Sequence, residues 1–102
     1  MTRIGTFEFV APLWIHPGDG GWHFVTLPPD VGADVHQLTA GARHGFGSVR
    51  VAVRVGGTAW RTSVFPEAAG GGYVLPVKKA VRTAEKLTVG GPVHVTLDLV
   101  DL

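Results

Sequence analysis

Three observations predict a mainly β fold for this chain of 102 residues: a closed six-stranded β-barrel with two short helices, residues 1–102 forming one domain. Apolar and polar residues alternate over short runs, as half-buried strands require. Fifteen glycines and seven prolines punctuate those runs, which suits many tight turns. Twice, a strand-like run breaks at Leu-Pro and passes into a helix-patterned segment, at Leu27-Pro28 and at Leu75-Pro76. That recurrence predicts pseudo-twofold halves, each written strand, Leu-Pro, helix, strand.

"TFEFVAPLWI" opens the sheet. Phe7, Phe9, Ala11, Leu13 and Ile15 alternate with Thr6, Glu8 and Val10, giving one apolar face. Pro12 cannot donate to a ladder, so an edge or a bulge is expected there. "HPGDGG" is turn chemistry, and "WHFVTL" reads as the return strand. After Pro28-Pro29, Val31, Val35 and Leu38 fall at i, i+4 and i+7 of a helix. Asp30 and Asp34 near its N-terminus suit the helix dipole, while Gly32 weakens it. "FGSVRVAVRV" is the clearest strand, with Val49, Val51, Val53 and Val55 facing in and Arg50, Ala52 and Arg54 facing out. Gly56-Gly57 fits a two-residue hairpin turn, so "TAWRTSVF" becomes the antiparallel partner, ending at Pro66. "EAAGGG" forms a loop before "YVL". The second helix is expected from Val77 to about Leu87, with Val77, Ala80, Val81, Ala84 and Leu87 on one face. Gly90-Gly91-Pro92 is expected to stop it. "VHVTLDLV" closes the chain with Val93, Val95, Leu97 and Leu99 inward.

Proline suits a helix start, where its missing N–H would be unpaired anyway, and it ends a strand because it cannot continue the ladder. Each Leu-Pro therefore reads as a strand-to-helix switch whose leucine anchors the corner. Closing the sheet on itself removes exposed edges and accommodates both copies.

A hydrophobic content of 45% against 17% charged residues describes a globular chain with a core. Net charge of +1 supplies no global field towards nucleic acid, membranes or acidic partners. Without cysteine there are neither disulfides nor thiolate metal sites. No signal core and no stretch of about 18 apolar residues is present, so a cytoplasmic protein without membrane association is expected.

The segments "FGSVRVAVRVGGTAWRTSVFP" and "GGYVLPVKKAVR", preceded by "FVTLP", resemble the domain-of-unknown-function 1905 family over nearly all of the chain. The ordered combination of "TSVFP" with "LPVKKAVR" carries most of the likeness. The resemblance implies a small bacterial closed β-barrel and no established biochemical activity. Longer relatives carry a C-terminal bacteriocin-protection segment. None is expected after "VTLDLVDL".

Candidate chemistry concentrates on two segments. Lys78, Lys79, Arg82 and Lys86 fall within about a third of the second helix, at ~100° per residue. Cations at Lys78 and Lys79 oppose the dipole in the first turn, so this start reads as an anion-favouring site or as an ordinary solvated face. In "WRTSVFP", Arg61 and Ser63 share a strand face, either holding a polar ligand that Trp60 or Phe65 helps cover or pairing across the sheet. The ligand-binding set is thus Trp60, Arg61, Ser63, Lys78, Lys79 and Arg82. Ser63 lies in no G-x-S-x-G elbow. His16, His23, His36, His44 and His94 are dispersed without H-E-x-x-H spacing, and no phosphate loop appears. No catalytic residue, metal or cofactor is predicted. Glu8, Arg50, Arg54 and Asp98 read as cross-strand charge pairs on the outer face. Trp14, Trp22, Trp60, Phe46 and Tyr73 fill the core or line a pocket.

These features favour a non-catalytic barrel that binds a small anionic or amphipathic ligand or a protein, with self-association into a homo-oligomer as a further expectation. Strand–Leu-Pro–helix–Gly–strand is also similar to the half-unit of AbrB-like DNA-binding barrels. A sequence pI of about 8.3 speaks against a nucleic-acid partner. An enzyme of unknown class is the third reading, since catalytic groups can converge from distant strands without a local motif.

Overall fold

The computed structural model describes residues 5–18, 20–41, 47–67 and 72–100. In chain order the elements are β1 (Thr6–Ile15), β2 (His23–Thr26), α1 (Pro29–Leu38), β3 (Val49–Val55), β4 (Thr58–Pro66), β5 (Tyr73–Pro76), α2 (Lys79–Ala84) and β6 (Pro92–Leu99). The strands close into a barrel in the order β1-β2-β5-β4-β3-β6, every neighbouring pair antiparallel.

Two long strands make the closure. β1 pairs with β6 from Thr6 to Pro12 and with β2 from Leu13 onward. β4 pairs with β3 from Thr58 to Val64 and with β5 from Phe65. Each hands over from one partner to the next part-way along its length. Pro12 sits at the first handover, opposite Pro92. Neither proline can donate, yet just beyond them Leu13 N–H donates to Gly91 O (3.0 Å) and the Leu13 carbonyl accepts from Gly90 N–H (2.8 Å).

Exchanging β1 with β4, β2 with β5 and β3 with β6 leaves the neighbour order unchanged, so the barrel has a pseudo-twofold. Its axis passes by the Val25–Leu75 pair. One hydrogen bond occurs twice across it: Leu27 N–H donates to the Tyr73 carbonyl (3.0 Å), and Val77 N–H to that of His23 (2.9 Å). Leu27 and Val77, like His23 and Tyr73, differ by 50 positions. The two Leu-Pro pairs therefore occupy different steps of the repeat. Pro28 is the N-cap of α1 and Pro29 its first residue, a strand-to-helix switch. Pro76 instead ends β5, paired with Phe24, and its structural counterpart is Thr26.

α2 has six residues rather than the expected run from Val77 to Leu87. At its start, the bond from Val77 to His23 holds the chain extended. At its end, Lys86 adopts φ +54°. Lys86 N–H then donates to Thr83 O (3.3 Å) and Leu87 N–H to Arg82 O (2.9 Å), the Schellman arrangement. The helix thus stops before Gly90-Gly91-Pro92 is reached. So short a helix buries one narrow stripe. Val77 and Val81 are buried and Leu87 partly so, whereas Ala80 and Ala84 are exposed, contrary to expectation.

Inward residues of both halves meet in one core, with Val25, Val35, Val51, Val64, Leu75 and Leu97 excluded from solvent. β3 alternates as expected, all four valines buried. On β1, Leu13 is buried and Phe7, Phe9 and Ala11 pack against the core, but Ile15 is exposed at the barrel end. Tyr73 is buried, with its hydroxyl 3.2 Å from His36 Nδ1 on α1. Of the β3–β4 turn, only Gly56 has positive φ (+58°), the type II′ pattern. His44 and Phe46, and residues 68–71 of the "EAAGGG" loop, lie outside the described residues. Among the described residues, no helix is long and apolar enough to cross a membrane.

Candidate functional site

The barrel wall parts where β4 and β5 separate. Their pairing comprises Phe65↔Val74 and Pro66↔Tyr73. Continuing that register sets Ser63 against Pro76, which has no N–H to offer. Beyond it the chain leaves the sheet through Val77 and Lys78 into α2, while β4 runs on to Thr58 with β3 alone beside it. The gap is an open cleft of about 450 Å³. Trp60, Arg61, Thr62 and Phe65 form one wall, and Pro76, Val77, Lys78 and Arg82 the other. The β1–β2 turn closes the third side through Gly20, Gly21, Trp22 and His23.

Four of the six residues singled out from sequence, Trp60, Arg61, Lys78 and Arg82, line this cleft. Ser63 and Lys79 do not. Ser63 is paired with Arg50 in the ladder, and Lys79 is exposed in the first turn of α2. Because α2 is so short, few peptide dipoles add up along it, and the positive character of the corner belongs to its side chains. Phe65, expected from sequence to help cover a ligand at Arg61, lines the cleft too, whereas sequence reasoning did not assign His23 or Thr62 to the site and left Trp22 between core and pocket. Trp22, set directly after a Gly-Gly turn, offered a weaker local hint.

The three cations are held differently. Arg82 Nε donates to the Val77 carbonyl (3.2 Å), and its Nη1 lies 3.2 Å from His23 Nε2. His23 Nδ1 is 2.6 Å from the Gly21 carbonyl. A carbonyl only accepts, so the ring proton sits on Nδ1 and Nε2 accepts from Arg82. Arg82 thereby ties α2 to the β1–β2 turn. The side chains of Arg61 and Lys78 are exposed and make no hydrogen bond or ion pair with a described residue. No carboxylate is found among the described lining residues.

Aromatic side chains continue outward from the cleft. Trp22 is 59% exposed and stacks on Phe24 (centroids 6.2 Å apart, planes at 14°). Phe24 in turn meets Trp14 at 5.1 Å, and the Trp14 indole N–H donates to Thr26 Oγ1 (2.9 Å). A shallower cleft of about 320 Å³, lined also by His16, Phe24 and Val74, shares Trp22, Phe65 and Pro76 with the first. Trp14 and Trp22 thus belong to the outer surface, Tyr73 to the core, and Trp60 packs on the core while bordering the cleft.

Other outward charges sit on β1, β3 and β6. Glu8 and Arg54 both flank Thr96, and Thr6 Oγ1 donates to Asp98 (2.5 Å). Among the described residues, no three His, Asp or Glu side chains converge as metal ligands. No buried side-chain polar atom among them lacks a partner.

The pseudo-twofold gives an internal comparison. Corner and helix positions differ by 50, so Lys78 corresponds to Pro28 and Arg82 to Gly32. Leu13 faces Val25, and in the continued register Val64 faces Leu75, a shift of 51 that matches Arg61 with Val10. At these three equivalent positions the fold carries cations in one corner and none in the other.

A search of curated proteins finds no match. The family model described as a domain of unknown function, DUF1905, matches residues 9–97, from within β1 to within β6. The chain belongs to the DUF1905 family.

Proposed function

We propose that this protein is a non-catalytic binding barrel and that its ligand is a small amphipathic anion held in the β4–α2 cleft. The observation that carries this reading is the asymmetry between the twin corners. A solvated face or a folding requirement would tolerate cations at either corner, yet Val10, Pro28 and Gly32 build the first one without them. Arg61 and Lys78 stand on opposite walls of a concave site whose other lining is largely apolar. That combination, an apolar lining with a few convergent polar groups, is what small-molecule sites share. An arginine adds the planar fork that suits carboxylate or phosphate.

A thermal-shift screen of organic carboxylates and phosphate monoesters tests the reading. Genuine ligands raise the melting temperature of the parent protein, and Arg61→Ala or Lys78→Ala removes most of that shift. Lys79→Ala, one residue along but outside the cleft, retains it. Hits that ignore Arg61 and Lys78, or that respond equally to Lys79→Ala, place the ligand elsewhere and refute the assignment.

A further inference from the structure

The ligand class can be narrowed further, on the premise that the cleft is a binding site for an anion. We infer that the occupant is a planar aromatic anion, its ring lying against Trp22 and Phe65 and its carboxylate or phosphate reaching Arg61 and Lys78.

The geometry of Trp22 is the first support. Trp22 exposes 59% of its surface and Phe65, which lines the same clefts, 43%, and an exposed apolar patch of this kind marks a binding surface. Both rings border both clefts, so they form one shared aromatic wall. One face of the indole is already used by Phe24, stacked nearly parallel at 14°. Another flat ring extends that stack on the open side, in the offset arrangement that aromatic quadrupoles prefer.

The second support is that Trp22 is held in place. His16 N–H donates to the Trp22 carbonyl (2.8 Å) on one side. On the other, the Gly21–His23–Arg82 chain fixes the adjoining residues to α2. Gly20 and Gly21 take positive φ (+97° and +61°), a backbone path that presents Trp22 at the cleft mouth. A ring fixed in advance loses little entropy on binding. A straight acyl chain fits this wall less well. Such chains bury into deep aliphatic pockets, whereas here the wall is aromatic and prolyl and the cleft is open.

Placement of charge is the third support. Arg61 and Lys78 lie on the two walls, unpaired among the described residues, while Arg82 is occupied with His23 and Val77. Arg82 is accordingly a positioning residue and not an anchor.

The test compares affinities by nitrogen-proton NMR, following the Trp22 indole and cleft amides, for 2-naphthoate, 2-naphthyl phosphate, decanoate and neutral 2-naphthalenemethanol. At least one naphthyl anion is expected to bind about tenfold or more tighter than decanoate and than the neutral alcohol. Trp22→Leu, which keeps an apolar side chain but removes the flat ring, abolishes the preference over decanoate, and Trp22→Phe restores most of it. If decanoate binds as tightly as the naphthyl anions, or if Trp22→Leu leaves the preference intact, the aromatic assignment fails while the anion site stands. If the neutral alcohol binds as well as the anions, or no probe moves a cleft resonance, the anion site itself falls.

Discussion

Replacing Lys86 by glycine should make the protein more stable, although the residue is exposed. Lys86 is the one non-glycine among the described residues with positive φ, at +54°. It occupies the position after the helix cap, where its own N–H and that of Leu87 close the C-terminus of α2. A residue with a Cβ pays about 1–2 kcal/mol for that left-handed conformation. Glycine escapes this cost but loses more unfolded-state entropy, about 0.5–1 kcal/mol. The exposed lysine side chain has no partner among the described residues, so little else is lost. The net expectation is a gain of about 0.5–1 kcal/mol, hence roughly 2–8 °C in Tm for a domain of this size. Urea denaturation with an unchanged m-value should report the same gain. Lys86→Ala is the control, because it keeps the left-handed cost and should gain almost nothing. Should the glycine variant match the alanine variant, the strain attributed to Lys86 does not exist.

Two further outcomes follow from packing and turn geometry. Leu97 is fully buried at the middle of β6, so Leu97→Ala should cost about 2–5 kcal/mol in chemical denaturation, and a loss below about 1 kcal/mol would contradict its place in the core. At Gly56, φ is +58° and a side-chain carbon would run into the Glu85 carboxylate, which now accepts from Thr58 Oγ1 (2.6 Å). Gly56→Ala should therefore destabilise by about 1–2 kcal/mol, and adding Glu85→Ala should recover only the steric part, as a double-mutant cycle would read out.

Much of the fold was legible because its signals are local. The valines of β3 alternate in the sequence and alternate in burial, since a strand's pleat imposes a period of two whatever its neighbours are. The glycine hairpin and the proline-led start of α1 are equally local. Misreadings arose where a distant partner intervened. Val77 has helical spacing with Val81, yet His23, far away in the chain, takes its N–H and keeps it extended. Ala80 and Ala84 fit an apolar face by spacing, but a helix of six residues has only one side to bury. Arg61 and Lys78 could be nominated from residue type. Phe65 could be set near Arg61 because both stand on β4, but Trp22 could not, because it arrives from the β1–β2 turn.

Where strands and helices begin, and which of their faces are apolar, follows from side-chain type and backbone preference over a few residues, and that much was written in the chain. The choice of pairing partners was not. β2 against β5 and β3 against β6 join segments with long intervening chain, and such pairings are decided by the burial gained when the whole barrel closes. The cleft is a product of that closure. Pro76 stops the β4–β5 ladder at a particular step only because the barrel brings Ser63 opposite it, and cations, aromatic wall and opening then meet in one place.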